Sequence, residues 1–226
     1  MNVFSPIIIK SHILNKFRGR AFNVHNGKLP QYAGIHVHQW AIRNGETKLH
    51  VTIHHMTSNI DAGNIVAEHE IEISDKDTGL SLFHKSIKEG IVLMENLTNL
   101  LIRKSPLPNT KQNLNERTLY KHKDALDSRI DWNLKAKDLH NFIRAGSYYP
   151  LKSPTYTATL FTKNYGKILI LKSSIENASG IPGELLNVNN FGPLIACGEN
   201  SLRLTKVKFD RKVNIDWNKI ISNLLV

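Results

Sequence analysis

The chain has a single cysteine, Cys197, in 226 residues. That excludes an intramolecular disulfide framework and a four-thiolate metal site, and it points to a reducing compartment, with the cytoplasm as the expected location. Long apolar runs are lacking as well. The longest fall far short of the roughly 20 residues a membrane span needs, so no transmembrane segment and no membrane partner is expected. The start, residues 1–10, strings together only Ile7, Ile8 and Ile9, with no basic region before them and no small-residue cleavage site after them, which does not fit a signal peptide. Neither an internal repeat nor a low-complexity tract occurs. With 41% hydrophobic and 22% charged residues the composition is that of an ordinary globular protein, and disorder, collagen and coiled coil are poor fits.

Charge is abundant but lopsided. The net charge is +11; residues 1–100 carry 10 Lys and Arg against 9 Asp and Glu, whereas residues 101–226 carry 20 against 10. The basic second half suits a polyanionic partner such as RNA, a phosphorylated carrier or a nucleotide-sugar. Lysines on solvated faces account for the same numbers.

The order of elements predicts an α/β protein. VFSPIII (3–9) reads as a buried strand, followed by a short helix over 11–17 and a strand AFNVH (21–25) that ends at Asn26-Gly27 and Pro30. A helix over 36–45, a strand over 49–56 and a half-exposed strand over 65–73 come next. Thr78 to Lys104 is the longest helical pattern, with Leu80, Phe83, Ile87, Ile91, Met94 and Leu97 spaced for one face. Pro106, Pro108, Asn109, Asn113 and Asn115 break the pattern, so residues 105–128 are expected to be a linker between a domain at 1–104 and another at 129–226. The second domain opens on a helix near Ala136 and continues with five short strands separated by Gly, Asn and Pro turns, the pattern of a small barrel. A closing helix is expected over 214–226.

Asn23 and His25 stand two apart on one predicted strand, so their side chains leave the same face. Asp61 lies in a loop between two later strands. A histidine can shuttle protons near neutral pH, an asparagine amide can donate to an oxyanion, and a carboxylate can orient the histidine. On spacing alone the same residues read first as turn formers, a satisfied loop histidine and a cap. His36, His38, His50, His54 and His55 lack the Cys pairs or the helical H-E-x-x-H pattern of a metal site, so His50 and His54 read as solvated or core histidines and no metal is expected.

The stretches FNVHNGKLPQYAG (22–34), HQWAIRNGET (38–47) and VTIHHMTSNIDAGNIV (51–66) resemble the catalytic core of the folate-dependent formyltransferases, a family that includes methionyl-tRNA formyltransferase. The family motif is an Asn, one residue, a His, a Leu-Pro and a Gly, with an Asp in a D-x-G turn 38 positions after the Asn, the separation of Asn23 and Asp61 here. The segments 129–146, 181–186 and 193–204 are similar to the barrel-like C-terminal domain of the same family. The resemblance implies a partial Rossmann-like catalytic domain followed by a small OB-like β-barrel. It implies 10-formyltetrahydrofolate as co-substrate and formyl transfer to a primary amine, with Asn23 on the oxyanion side, His25 as acid/base and Asp61 as its supporting carboxylate. Folate contacts are expected from Phe4, Ser5, Pro6, Leu29, Pro30, Thr57, Ile60 and Gly63.

The resemblance further implies that a complete catalytic domain begins ahead of VFSPIII, so this chain is expected to start partway through one. Asn64, His50 and Ala33 replace an Asp, a Gly and an Arg usual in the family, and the H-N-G-x-L-P-x-Y-A-G wording leans towards enzymes acting on sugar or carrier-tethered amines. The acceptors expected are anionic and amine-bearing: a nucleotide-sugar, a carrier protein or a tRNA. Alternatives are methionyl-tRNA formyltransferase proper, a formyltetrahydrofolate hydrolase, and a truncated non-catalytic remnant whose basic barrel binds nucleic acid.

Overall fold

The computed structural model describes residues 1–211 and 215–224. The chain divides into two compact units: residues 1–41, 46–77 and 81–124 form the first, and residues 42–45, 78–80 and those from 125 onward form the second.

In the first unit, β1 (Asn2–Val3), β2 (Phe22–His25), β4 (Lys48–His55) and β5 (Ile65–Glu72) form one sheet in the order β1-β2-β4-β5, with α1 (Ser11–Leu14) between β1 and β2 in sequence. Only β1 and β2 run parallel; β2 with β4 and β4 with β5 are antiparallel. The chain also forms β3 (Ala33–Gly34), α2 (Val37–Arg43), α3 (Gly79–Ile102) and β6 (Leu119–Tyr120), the last pairing with β3 in parallel. This alternation of strands and helices is the α/β architecture that the sequence predicts. Strand alternation sends Val24, Val51 and Ile53, all fully buried, to one face of the sheet.

Two local expectations are corrected. Residues 3–9 are not a buried strand: pairing ends at Val3, and Ile7 and Ile8 are 71% and 67% exposed. Phe4 turns the backbone to a φ of 47°, and Pro6 brings no N–H to a ladder, so a last bond from Phe4 N to Val24 O closes the strand. In α3 the buried line is Leu82, Ser86, Gly90, Leu93 and Leu97, and Ile91 is exposed. The small residues decide this. Ser86 and Gly90 let the helix approach closely, and the Phe4 ring and Val24 lie against Gly90, where larger side chains would hold the surfaces apart.

The segment expected to be a linker is largely tied down over residues 110–120. Thr110 and Ile65 exchange two backbone hydrogen bonds of 2.8 and 2.9 Å, Asn113 caps a 3₁₀ turn at Leu114–Glu116, and β6 follows.

The second unit holds α4 (Ala136–Gly146), β7 (Thr159–Thr162), β8 (Gly166–Glu176), β9 (Leu185–Asn189), β10 (Gly192–Ala196), β11 (Ser201–Phe209) and α5 (Trp217–Ile221). The strands form an antiparallel sheet in the order β7-β8-β11-β10-β9. This corrects the expectation of a barrel: β7 and β9 are the two edges and do not meet among the described residues. Leu139 and Ile143 of α4 and Ile220 of α5 share one core with Ile168, Ile170, Ile195, Leu202 and Leu204. The sheet buries its inner face against helices rather than closing on itself. The helix expected over 214–226 is the five-residue α5; Asn214, Leu225 and Val226 lie outside the described residues.

Candidate active site

The register of β2 on β4 builds the site. Directly opposed residues share a face, and the pairs are Asn23 with His54 and His25 with Thr52. Asn23, His25, Thr52 and His54 therefore project together from the face opposite Val24 and Ile53, and all four are buried. The Asn23 amide is fully engaged: Oδ1 accepts from Asn2 Nδ2 at 3.0 Å, while Nδ2 lies 3.1 Å from His54 Nε2 and 3.4 Å from Asp61 Oδ1. His54 Nδ1 is 2.8 Å from the His55 carbonyl, which can only accept, so in the neutral ring the proton sits on Nδ1 and Nε2 accepts from Asn23.

Asp61 reaches the cluster from a tight turn in which its own backbone is left-handed, φ 50°. Gly63 closes the turn so tightly that a Cβ there would run into the His55 carbonyl. The carboxylate is held from the other side by Gly34, whose N–H donates to Oδ2 at 2.8 Å. Glycine is required at position 34 too, because φ is 103° and a Cβ would collide with the Tyr120 carbonyl across the β3–β6 pair. Asp61 Oδ1 lies 3.3 Å from His54 Nε2, and Oδ2 lies 3.7 Å from His25 Nδ1.

The structure thus brings Asn23, His25 and Asp61 together, with one difference in detail. Sequence reading has Asp61 orienting His25, yet the atom that fixes the imidazole is the Tyr32 carbonyl, 2.6 Å from Nε2. That carbonyl keeps the proton of the neutral ring on Nε2. The lone pair of Nδ1 then faces Asp61 at ion-pair distance, beyond a hydrogen bond, and is free to take a proton.

Electrostatics favour a neutral imidazole beside an ionised carboxylate. Burial pushes the His25 pKa below its usual 6.5, outweighing Asp61 and the Tyr32 carbonyl, which act the other way, and His54 lowers it further. Burial also opposes ionisation of Asp61, but the neighbouring His54 and His25 rings and the Gly34 N–H together hold its pKa at about 2. His38, which shares a 2.8 Å bond with Asn26, is pushed down to about 3, first by burial and then by His36 and His25.

These shifts fix the sign of a pH dependence. His25 and His38 are lowered on folding, so the unfolded chain binds more protons. Their stabilisation is complete above pH 6.5 and declines as pH falls, each by about 1.4 kcal/mol per unit until its folded pKa is passed. Asp61, lowered from 3.8 to about 2, adds its own loss only below pH 3.8. Thermal unfolding followed by circular dichroism should show the midpoint dropping steadily from pH 6.5 to 4. An unchanged midpoint over that range would contradict buried neutral imidazoles.

The expected folate contacts are spread more widely. The Phe4 ring packs edge-on against Phe83 of α3, centroids 6.1 Å apart, and Ser5 Oγ accepts from Ile7 N. Pro6, Thr57 and Ile60 are exposed, whereas Leu29, Pro30 and Gly63 are buried. Sequence reasoning misses one member of the site: His54 reads as a core or solvated histidine, although its place in the V-T-I-H-H strand opposite Asn23 is a usable signal once the register is known. Among the described residues no three His, Cys, Asp or Glu side chains gather as a metal would need. No helix among them is long and apolar enough to cross a membrane.

A buried amide and two imidazoles on one sheet face meet a carboxylate brought in by the adjoining turn, an arrangement able to accept and hold a proton. The comparisons with known proteins name the family. Residues 3–96 match the formyl transferase domain and residues 123–224 match the formyl transferase C-terminal domain, so the chain belongs to the formyl transferase family. It is 34% identical over 219 residues to the bifunctional polymyxin resistance protein ArnA of Wigglesworthia glossinidia brevipalpis, covering 96% of this chain and 32% of that protein. The chain thus spans about a third of the length of that curated relative. Among solved structures it resembles the N-formyltransferase from Helicobacter canadensis in complex with folinic acid and dTDP-3-aminofucose. The TM-score is 0.69 at 24% identity, over 88% of this chain and 71% of that one. It also resembles WlaRD, a sugar 3N-formyl transferase determined in the presence of dTDP and 5-N-formyl-THF. There the TM-score is 0.65 at 24% identity, over 86% and 67% of the two chains. At these identities the solved structures establish the shared fold.

Proposed function

We propose that the chain transfers a formyl group from 10-formyltetrahydrofolate to the primary amine of a nucleotide-linked amino sugar, in the cytoplasm. The observation that carries this reading is the convergence of Asn23, His25, His54 and Asp61, of which Asn23, His25 and Asp61 stand in the order and spacing of the family motif. The choice of donor and acceptor is supported by the complexes of the two structural relatives, one holding folinic acid and an amino sugar carried on dTDP, the other dTDP and a formylated folate. The basic second half of the chain suits the negative charge of such an acceptor.

In this reading the amine nitrogen attacks the formyl carbon, the bond from that carbon to the folate nitrogen breaks, one proton leaves the amine and one arrives on the folate nitrogen. His25 takes the amine proton on Nδ1, the ring atom without a hydrogen-bond partner, and Asp61 Oδ2 stabilises the imidazolium that results. His25 then returns the proton to the departing nitrogen. Asn23 donates from Nδ2 to the oxyanion, and the bond it gives up is the longer one, to Asp61. The folate is held between residues 4–7 and 57–63, with Leu29 and Pro30 behind it.

The test is to incubate the chain with 10-formyltetrahydrofolate and, separately, a dTDP-linked amino sugar, an aminoacyl-tRNA and an aminoacyl carrier protein, and to analyse the products by mass spectrometry. Formylated amino sugar is expected. Formyl on the tRNA or carrier alone would overturn the acceptor, and free formate without any acceptor would make the chain a hydrolase.

A further inference from the structure

The turn that carries Asp61 is fastened from below by a residue far away in sequence. Gln112 is 94% buried, and its Nε2 donates to two backbone carbonyls at once, Asp61 O at 2.9 Å and Gly63 O at 2.6 Å. A primary amide has two N–H bonds, and both are spent on the two ends of the D-x-G turn. The strap around Gln112 is itself anchored: Thr110 pairs with Ile65 just beyond the turn, and Arg117 Nη2 donates to Ile60 O at 2.7 Å just before it. Residues 110–117 therefore hold residues 60–65 at three points, with Gln112 at the centre. The turn needs such support, because Asp61 is left-handed, a conformation that L residues adopt at a cost.

We propose that Gln112 is a positioning residue of this site, fixing the Asp61 turn so that its carboxylate stands between the His25 and His54 imidazoles. It touches neither imidazole nor the carboxylate itself; it acts by holding the backbone from which the carboxylate projects. With Gln112 absent, two buried carbonyls lose their donor, and the turn relaxes towards whatever water can reach it. A relaxed turn loses the 3.3 and 3.7 Å approaches to His54 and His25, since an error of about 1 Å at a reacting group is enough to cost two orders of magnitude in rate. The proposal rests on the reading of Asp61 as the carboxylate of the site.

A direct readout is the ring ¹⁵N signals of His25 and His54 in the ¹⁵N-histidine-labelled chain, at pH 7 and through an acid titration. The charged and titratable groups facing His25 are Asp61 from its turn, His54 from β4 and His38 from α2, and of these only Asp61 is moved by the strap. Asp61→Asn sets the position of the signals when the carboxylate charge is gone. Gln112→Leu, similar in volume but without donors, should move both signals most of the way to that position and lower the His25 midpoint. Leu97→Ala, a core change in the same unit, should lower the melting temperature and leave the ring signals where they are. Should Gln112→Leu fail to fold, Gln112→Asn keeps an amide that is one methylene too short to span both carbonyls, and the same shift is expected of it. Ring signals that stay in their wild-type positions in a folded Gln112 variant, while Asp61→Asn displaces them, would overturn this proposal alone. Ring signals that Asp61→Asn itself leaves unmoved would overturn the reading of the site and this proposal with it.

Discussion

Replacing His25 with alanine is expected to lower formyl transfer by about a hundredfold or more, the usual contribution of a positioned acid/base. The loss should fall on kcat, with KM for the folate little changed, because His25 is assigned proton transfer and not folate binding. The geometry makes the prediction sharper than the residue type alone. The Tyr32 carbonyl holds the proton on Nε2, burial keeps the ring neutral, and Nδ1 faces an ionised carboxylate, so the ring is poised to accept one proton and have it stabilised. Initial rates of tetrahydrofolate formation with saturating amine check this, alongside a melting curve to show that the variant folds. Turnover that survives in a folded His25→Ala variant would remove His25 from the chemistry.

Asn23→Ala is expected to cost about 100- to 1000-fold in kcat, the range for removing one oxyanion donor. It also has a structural consequence that His25→Ala lacks. The Asn23 amide links Asn2, His54 and Asp61, and its removal leaves the buried His54 Nε2 without its donor, a penalty of about 1–3 kcal/mol. The variant should therefore be both slow and less stable. Adding urea to the wild-type chain until its stability matches that of the variant separates the two effects: the destabilised wild type should keep its kcat. A variant that melts early yet turns over at the wild-type kcat would make Asn23 a structural residue only.

The parts of the molecule legible in the sequence were those set by local pattern. The Asn23–His25 spacing on a strand and the D-x-G turn at Asp61 are short-range features that a period of two and a Gly-bounded turn mark, while their roles came from the resemblance to the formyltransferases and not from spacing. What was not legible depended on register, close packing or long-range hydrogen bonds. His54 looked like any strand histidine until β4 paired with β2 and set it opposite Asn23. The buried face of α3 was missed because hydrophobicity points to Phe83 and Ile91, while close approach to the sheet selects Ser86 and Gly90. Gln112 sat among prolines and asparagines that signal a loop, and a turn-rich composition says nothing about which carbonyls a strap will meet. The barrel expectation failed for a similar reason: five evenly spaced strands fit both a closed and an open sheet, and the choice lies with the helices that share the core.

The central claim is that this site passes a formyl group to an amine and does not release it to water. Its most direct test is the stoichiometry of turnover. With 10-formyltetrahydrofolate and a dTDP-linked amino sugar, tetrahydrofolate and formylated sugar should appear in equal amounts, with no formate, and omission of the amine should stop tetrahydrofolate formation. Formate appearing at the same rate with and without the amine, or no tetrahydrofolate formed in the presence of either, would contradict the account.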